Sequence, residues 1–130
     1  MVFASDWRSG DGGTNWVKMT NCIGVYTHDP ATNTLYGKNS ANDLVQSVDK
    51  GLTWTLVKNI TDGIDDIAYD PTRSRFYIAS GGRLKQLQGG VVTTLSTPAD
   101  QFAGYRTSSV AVDPQNPDYV YAVSHKDIYS

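Results

Sequence analysis

Three copies of one pattern constrain this chain more than any other feature of its sequence. Each copy is an alternating apolar run, an Asp-Pro pair, a short polar turn and a second run containing Tyr. The copies are Ile23-Gly24-Val25-Tyr26-Thr27-His28-Asp29-Pro30 with Leu35-Tyr36, Ile67-Ala68-Tyr69-Asp70-Pro71 with Phe76-Tyr77-Ile78-Ala79, and Val110-Ala111-Val112-Asp113-Pro114 with Tyr119-Val120-Tyr121-Ala122. Alternation of apolar and polar residues marks a half-buried strand, and Asp-Pro opens a turn that a strand interior does not tolerate. Successive Asp-Pro pairs lie 41 and 43 residues apart (29 to 70, 70 to 113). Two more runs, near 43–48 and 53–57, fill the first interval. Arg83 to Gln88 and Val91 to Leu95, joined by the hairpin dipeptide Gly89-Gly90, fill the second. Each unit is therefore about four short antiparallel strands in about 42 residues.

Composition agrees with that pattern. All 13 acidic residues are Asp, and Glu is absent. Glu is a good helix former, whereas Asp, Asn, Gly, Ser and Thr favour turns, caps and strands. With 12 Gly and 8 Tyr in 130 residues, the chain reads as all-β with many tight turns, which excludes coiled coils and helical bundles. Four strands per period of this length is the blade of a β-propeller.

A second repeat is sharper. Ser9-Gly10-Asp11-Gly12-Gly13-Thr14-Asn15-Trp16 and Ser47-Val48-Asp49-Lys50-Gly51-Leu52-Thr53-Trp54 both read Ser-x-Asp-x-Gly-x-x-Trp. Each falls between a third and a fourth strand of its unit. This element resembles the Asp-box, or BNR repeat, of sialidases, sortilin-type receptors, xyloglucan-cleaving glycosidases and photosystem assembly factors. Its logic is structural. The Asp carboxylate of Asp11 or Asp49 accepts backbone N–H groups across the turn, and Gly13 or Gly51 supplies a positive φ. Trp16 or Trp54 folds back to seal an apolar edge. The third unit lacks the element.

The resemblance covers nearly the whole chain and implies antiparallel four-stranded blades of a β-propeller, about three of them, an incomplete ring in one chain. The expected division places outer strands of one blade in 1–20, full blades in 21–58 and 59–96, and inner strands of another in 97–130, with Asp127 to Ser130 as a strand before a further box. Three blades fall short of the four to eight or so of a closed propeller. The chain is therefore expected to be completed by further blades, from a second copy of itself, with a dimer favoured, or from a longer parent chain.

Several function classes are excluded or disfavoured. Eleven Lys and Arg against 13 Asp give a net charge of −2, with no basic cluster, so no nucleic-acid partner is expected. One cysteine, Cys22, makes no disulfide framework, and two histidines make no metal site, so no metal and no cofactor is expected. His28 reads as a hydrogen-bonded turn residue. No apolar run approaches the length of a membrane helix, so no membrane insertion is expected, and no signal peptide is visible at the N-terminus. By resemblance, the location is extracellular, at a cell surface or in a virion.

In the propeller geometry, loops leading into each first strand and loops between second and third strands share one face, usually the binding face. That places Lys38 to Asp43, Asn59 to Asp66, Gly81-Gly82-Arg83, Asp100 to Arg106 and His125-Lys126 there. The candidate ligand-binding residues are Asn39, Asp43, Asp65, Asp66, Tyr105 and Arg106. Asp62 joins the acidic cluster, and Phe102 with Tyr105 offers an aromatic platform for sugar. Read as a surface loop residue, Asp66 is expected to cost within about 0.5 kcal/mol on truncation.

No residue is assigned a catalytic role. The sialidases' Glu and their Phe/Tyr-Arg-Ile-Pro signature are absent. The stretch Val112 to Tyr121 resembles blades of the xyloglucan-cleaving glycosidases, yet Gly37 to Asp43 lacks the Asp and both glycines of their Ala-Arg-Thr-Asp-Ile/Val-Gly-Gly segment. Asp43 substitutes there only through a shifted loop. The expected function is a non-catalytic recognition module binding glycan or protein. The alternatives are a portion of a glycoside hydrolase propeller and a purely structural assembly subunit.

Overall fold

The computed structural model describes residues 1–95 and 105–126. They form thirteen strands and no helix. The chain divides into two compact units, Met1–Ile60 and Thr61–Ser130. The expected third strand at 127–130 and the loop residues Asp100 and Phe102 lie outside the described residues.

The first unit holds two antiparallel sheets. One has three strands in sequence order, β1 (Val2–Ala4), β2 (Trp7–Ser9) and β3 (Val17–Lys18). The other is a four-stranded meander of β4 (Gly24–Asp29), β5 (Thr34–Lys38), β6 (Leu44–Ser47) and β7 (Thr55–Lys58). Met19, Cys22, Val45 and Trp54 form its core, with Phe3, Val25 and Leu35 packed against them.

The second unit repeats the meander with β8 (Asp66–Asp70), β9 (Arg75–Ser80), β10 (Arg83–Gln88) and β11 (Val91–Leu95). A two-stranded ladder follows, β12 (Tyr105–Val112) with β13 (Val120–Lys126). Ala68, Tyr77, Leu84 and Val110 are its buried cluster, with Leu95, Val112 and Val120 at the margin. The ladder thus packs onto the meander through Val110.

The Asp-Pro turns explain why the first strands stop where they do. Asp29 Oδ1 accepts the Ala31 amide at 3.0 Å, Asp70 Oδ1 the Thr72 amide at 3.0 Å, and Asp113 Oδ1 the Gln115 amide at 2.9 Å. In each turn the acceptor serves the residue two positions on, and the intervening Pro has no N–H to satisfy. Asn33 and Ser74, four residues after Asp29 and Asp70, then take φ of 53° and return the chain as the next strand. The Gly89-Gly90 hairpin adopts φ of 59° and 79°, the two positive values a two-residue type I′ turn requires. Gly81-Gly82 makes the same turn between β9 and β10.

Three local expectations change. His28 lies inside β4 rather than in a turn, its Nε2 3.2 Å from Asn33 Oδ1, because the turn begins only at the Asp29 cap. Tyr105 and Arg106 belong to β12 rather than to a loop, since they pair with Lys126 and His125. Trp16 does not seal an apolar edge among the described residues: it is 38% exposed, while Trp54 is 6% exposed.

Candidate functional site

The two Ser-x-Asp-x-Gly-x-x-Trp turns are almost superimposable in their bonding. Ser9 Oγ donates to Asp11 Oδ1 at 2.8 Å and accepts the Gly13 amide at 2.9 Å. Ser47 Oγ donates to Asp49 Oδ1 at 2.8 Å and accepts the Gly51 amide at 2.8 Å. Asp11 Oδ1 takes the Thr14 and Asn15 amides, and Asp49 Oδ1 takes the Thr53 amide. Their second oxygens take Asn15 Nδ2 and Thr53 Oγ1. The indole N–H of Trp16 donates to the Gly13 carbonyl at 3.0 Å, that of Trp54 to the Gly51 carbonyl at 3.1 Å. Gly13 and Gly51 hold φ of 95° and 85°. The Ser, Asp and Trp side chains of each motif are spent on closing its own turn.

Those donors favour the charged carboxylate. The Asn15 amide, then the Asn15 and Ser9 side chains, lower Asp11 from 3.8 to about 2. The Thr53 hydroxyl, the Thr53 amide and the Ser47 hydroxyl lower Asp49 from 3.8 to about 2. A carboxyl with a lower pKa folded than unfolded stabilises above the unfolded value and loses that contribution as pH falls through the folded one. Both turns are therefore expected to hold at pH 4 and to open progressively between about 3.8 and about 2. Carboxyl-carbon NMR titration of Asp11 and Asp49 checks this, together with amide exchange at Asn15 and Thr53.

The candidate ligand residues divide between the units. In the first, Asn39 and Asp43 meet at the β5–β6 turn. Asn39 Oδ1 accepts the Ala41 and Asp43 amides, each at 3.0 Å, and Asn42 takes φ of 63°. Asp43 Oδ1 accepts the Ile60 amide at 3.0 Å, across 17 residues. Asn39 organises its own loop, and Asp43 ties that loop to the segment after β7.

In the second unit Asp66 is a clamp rather than a surface loop residue. Its Oδ2 accepts the Val110 amide and the Ser109 hydroxyl, both at 2.9 Å, and its Oδ1 accepts the Ile67 amide at 2.9 Å. The expected near-zero cost of truncating it is therefore wrong. Asp66→Ala leaves the amide of buried Val110 without its acceptor, and an unsatisfied buried donor costs about 1–3 kcal/mol. Asp65 is exposed, and its backbone N–H donates to the Ala79 carbonyl at 2.8 Å. Urea midpoints should fall for Asp66→Ala and hold for Asp65→Ala.

Around Gly81-Gly82 the structure gathers Asp62, Lys85 and Arg106. A Cβ on Gly81 would sit 2.7 Å from Asp62 Cβ, and one on Gly82 would sit 3.1 Å from Arg106 Cζ. The two glycines are required by their φ and by these two side chains lying across them. The Thr107 amide donates to the Gly82 carbonyl at 2.9 Å, which seats the start of β12 on the turn. Arg106 is exposed, and His125 stands opposite it on β13. The Tyr105 side chain is outside the described residues.

Lys85 is the residue that sequence reasoning missed. It is 8% exposed, and its ammonium donates to the Thr61 carbonyl at 2.9 Å, Ser80 Oγ at 3.2 Å and Asp62 Oδ2 at 3.3 Å. All three donors of a buried cation are met, and the loop before β8 is pinned to the sheet. Nothing in the alternation Arg83-Leu84-Lys85-Gln86-Leu87 distinguishes such a lysine from a solvated one. Among the described residues, no group of three or more metal-ligating side chains gathers.

What the β9–β10 end of the second unit offers chemically is an exposed guanidinium, Arg106, lying over Gly82, with the Asp62 side chain lying over Gly81. That set suits hydrogen bonding to a hydroxyl-rich or polar ligand. No family model matches this chain, and no curated protein is detectably similar to it.

Proposed function

We infer that the chain is part of an Asp-box β-propeller acting as a non-catalytic recognition module. It binds a glycan or protein ligand at the end where the β9–β10 turn, the loop before β8 and the start of β12 meet, and further blades complete it. The observation that carries the reading is the division of labour among the polar side chains there. The Asp66 carboxylate is consumed as the acceptor of a distant backbone amide, while Arg106 is laid over Gly82 and remains exposed. Groups spent on holding loops position a surface, and groups left outward on a rigid turn recognise. The bonding of the two Ser-x-Asp turns and the four-stranded meanders supports the blade assignment.

The test is a glycan array probed with the full chain and with Arg106→Ala, alongside reducing-sugar release from xyloglucan. A recognition module retains selected glycans without releasing sugar, and Arg106→Ala lowers retention about tenfold, the loss of one charge-assisted contact. Sugar release would replace this reading with the hydrolase one. Equal retention by the two proteins would remove Arg106 from the site.

A further inference from the structure

Among the described residues, each of the three larger sheets ends, in chain order, on an edge strand: β3, β7 and β11. These edges are protected unequally. β3 is two residues long and carries Lys18. β7 ends on Lys58, and its register with β6 is broken between Leu44 and Val45. Short length, lysine and an irregular ladder are devices that keep an edge from pairing with another chain. β11 has none of them. It pairs with β10 without a register shift, from Val91 with Gln88 to Leu95 with Leu84. No charged residue occurs from Gln86 through Ala99. Val91, Val92, Thr93 and Thr94 are all exposed, Val91 at 64%. All four are β-branched, the shape a sheet accommodates best.

The direction of the free backbone groups follows from the hairpin. The residues flanking a two-residue turn, here Gln88 and Val91, exchange both hydrogen bonds, and the pattern alternates along an antiparallel ladder. Val91, Thr93 and Leu95 therefore turn their N–H and C=O groups toward β10, while Val92 and Thr94 turn theirs outward. A second β11, brought up antiparallel about a twofold axis at Thr93, sets Val92 opposite the partner's Thr94 and Thr94 opposite the partner's Val92. Every outward N–H and C=O of these two residues is then paired. Thr93 faces the partner's Thr93 in a non-hydrogen-bonded pair, where side chains lie closest, and exposed Val91 faces the partner's Leu95. An axis at Val92 or Thr94 would instead oppose Thr94 or Val92 to a residue outside β11.

We propose that β11 is a self-association edge, occupied by β11 of a second copy of this chain in that register. The absence of charge lets two identical strands meet without like-charge repulsion, and the residue order around Thr93 makes the edge complementary to itself. The pairing uses up both edges, so assembly stops at two. This contact differs from the completion of a blade by another copy. It involves none of the residues of the proposed ligand site and stands or falls separately from that reading.

The test is sedimentation equilibrium of the full chain, whose mass should rise with concentration toward twice that of the monomer and no further. Thr93→Lys places two ammonium groups opposite each other at the axis and should weaken association about tenfold or more. Thr93→Glu should do the same, and an equal mixture of the two variants should associate again, because opposite charges then meet. Thr93 is exposed, so both variants should keep the parent's urea midpoint at dilutions where the parent is monomeric. Thr93→Cys should cross-link to itself under mild oxidation, since Cα atoms of a non-hydrogen-bonded pair lie about 4.5 Å apart, whereas Thr94→Cys should not. The native thiol, Cys22, is buried and does not compete. A chain that stays monomeric at millimolar concentration overturns the proposal, as does mass growing beyond two. Doubling that survives Thr93→Lys, a mixture that fails to associate, or preferential cross-linking of Thr94→Cys overturns it too. Binding of a free peptide of residues 89–95 to a chain that remains monomeric overturns it in favour of an unlike strand.

Discussion

Trp54→Ala should lower stability by about 3–5 kcal/mol, the usual cost of truncating a large buried aromatic side chain. Trp54 is 6% exposed, packs with Met19, Cys22 and Val45, and anchors its indole N–H on the Gly51 carbonyl. Truncation removes the ring from the centre of that cluster and leaves the carbonyl without its donor. The same substitution at Trp16 should cost about 1 kcal/mol, because that ring is 38% exposed although its hydrogen bond is the same. Urea unfolding followed by far-ultraviolet circular dichroism checks the pair. A lower midpoint for Trp54→Ala with an unchanged slope locates the loss in the folded state. Equal midpoints for the two variants would show that the motif, and not the core around it, sets the contribution of the tryptophan.

Gly37→Ala should be of similar severity, about 3 kcal/mol or more, at the upper end of what overpacking costs. Gly37 is the fourth of the five residues of β5, and a glycine inside a strand marks a close approach of another backbone. A Cβ there would lie 2.2 Å from the Gly24 carbonyl oxygen and 3.0 Å from Cys22 Sγ. Neither neighbour moves easily. The Gly24 carbonyl belongs to β4, whose register with β5 already shifts between Val25 and Thr27, and it lies 3.4 Å from the Cys22 thiol. Cys22 is 1% exposed, and burial pushes its thiol pKa up. Gly10→Ala is the control, since its nearest neighbour to an added Cβ is the Met1 methyl at 3.9 Å. Thermal unfolding should separate the two variants by about ten degrees or more for a domain of this size. A folded Gly37→Ala of unchanged midpoint would mean that β4 can shift away from β5.

The local chemistry of the chain was legible from its residues. Arg83 to Gln88 and Val91 to Leu95 were readable as strands to the residue, because the Gly89-Gly90 pair between them has only one economical turn. The Asp-Pro turns and the Ser-x-Asp turns were readable for the same reason. Their donors and acceptors lie within four residues of one another, so the bonding is set by the residues and their spacing.

Tertiary structure decided everything that joins residues far apart. Trp16 and Trp54 share a motif, a hydrogen bond and a glycine conformation, yet only Trp54 is buried, because only there do Met19, Cys22 and Val45 close over the ring. Asp66 looks like any loop aspartate until the chain returns 44 residues later and aims the Val110 amide at it. Lys85 looks like a solvated strand lysine until Thr61, Asp62 and Ser80 converge on its ammonium. A hydrogen bond within a turn needs only the right residues in sequence. One across 44 residues needs the packing of the intervening strands, and no local pattern encodes which side chain that packing will enclose.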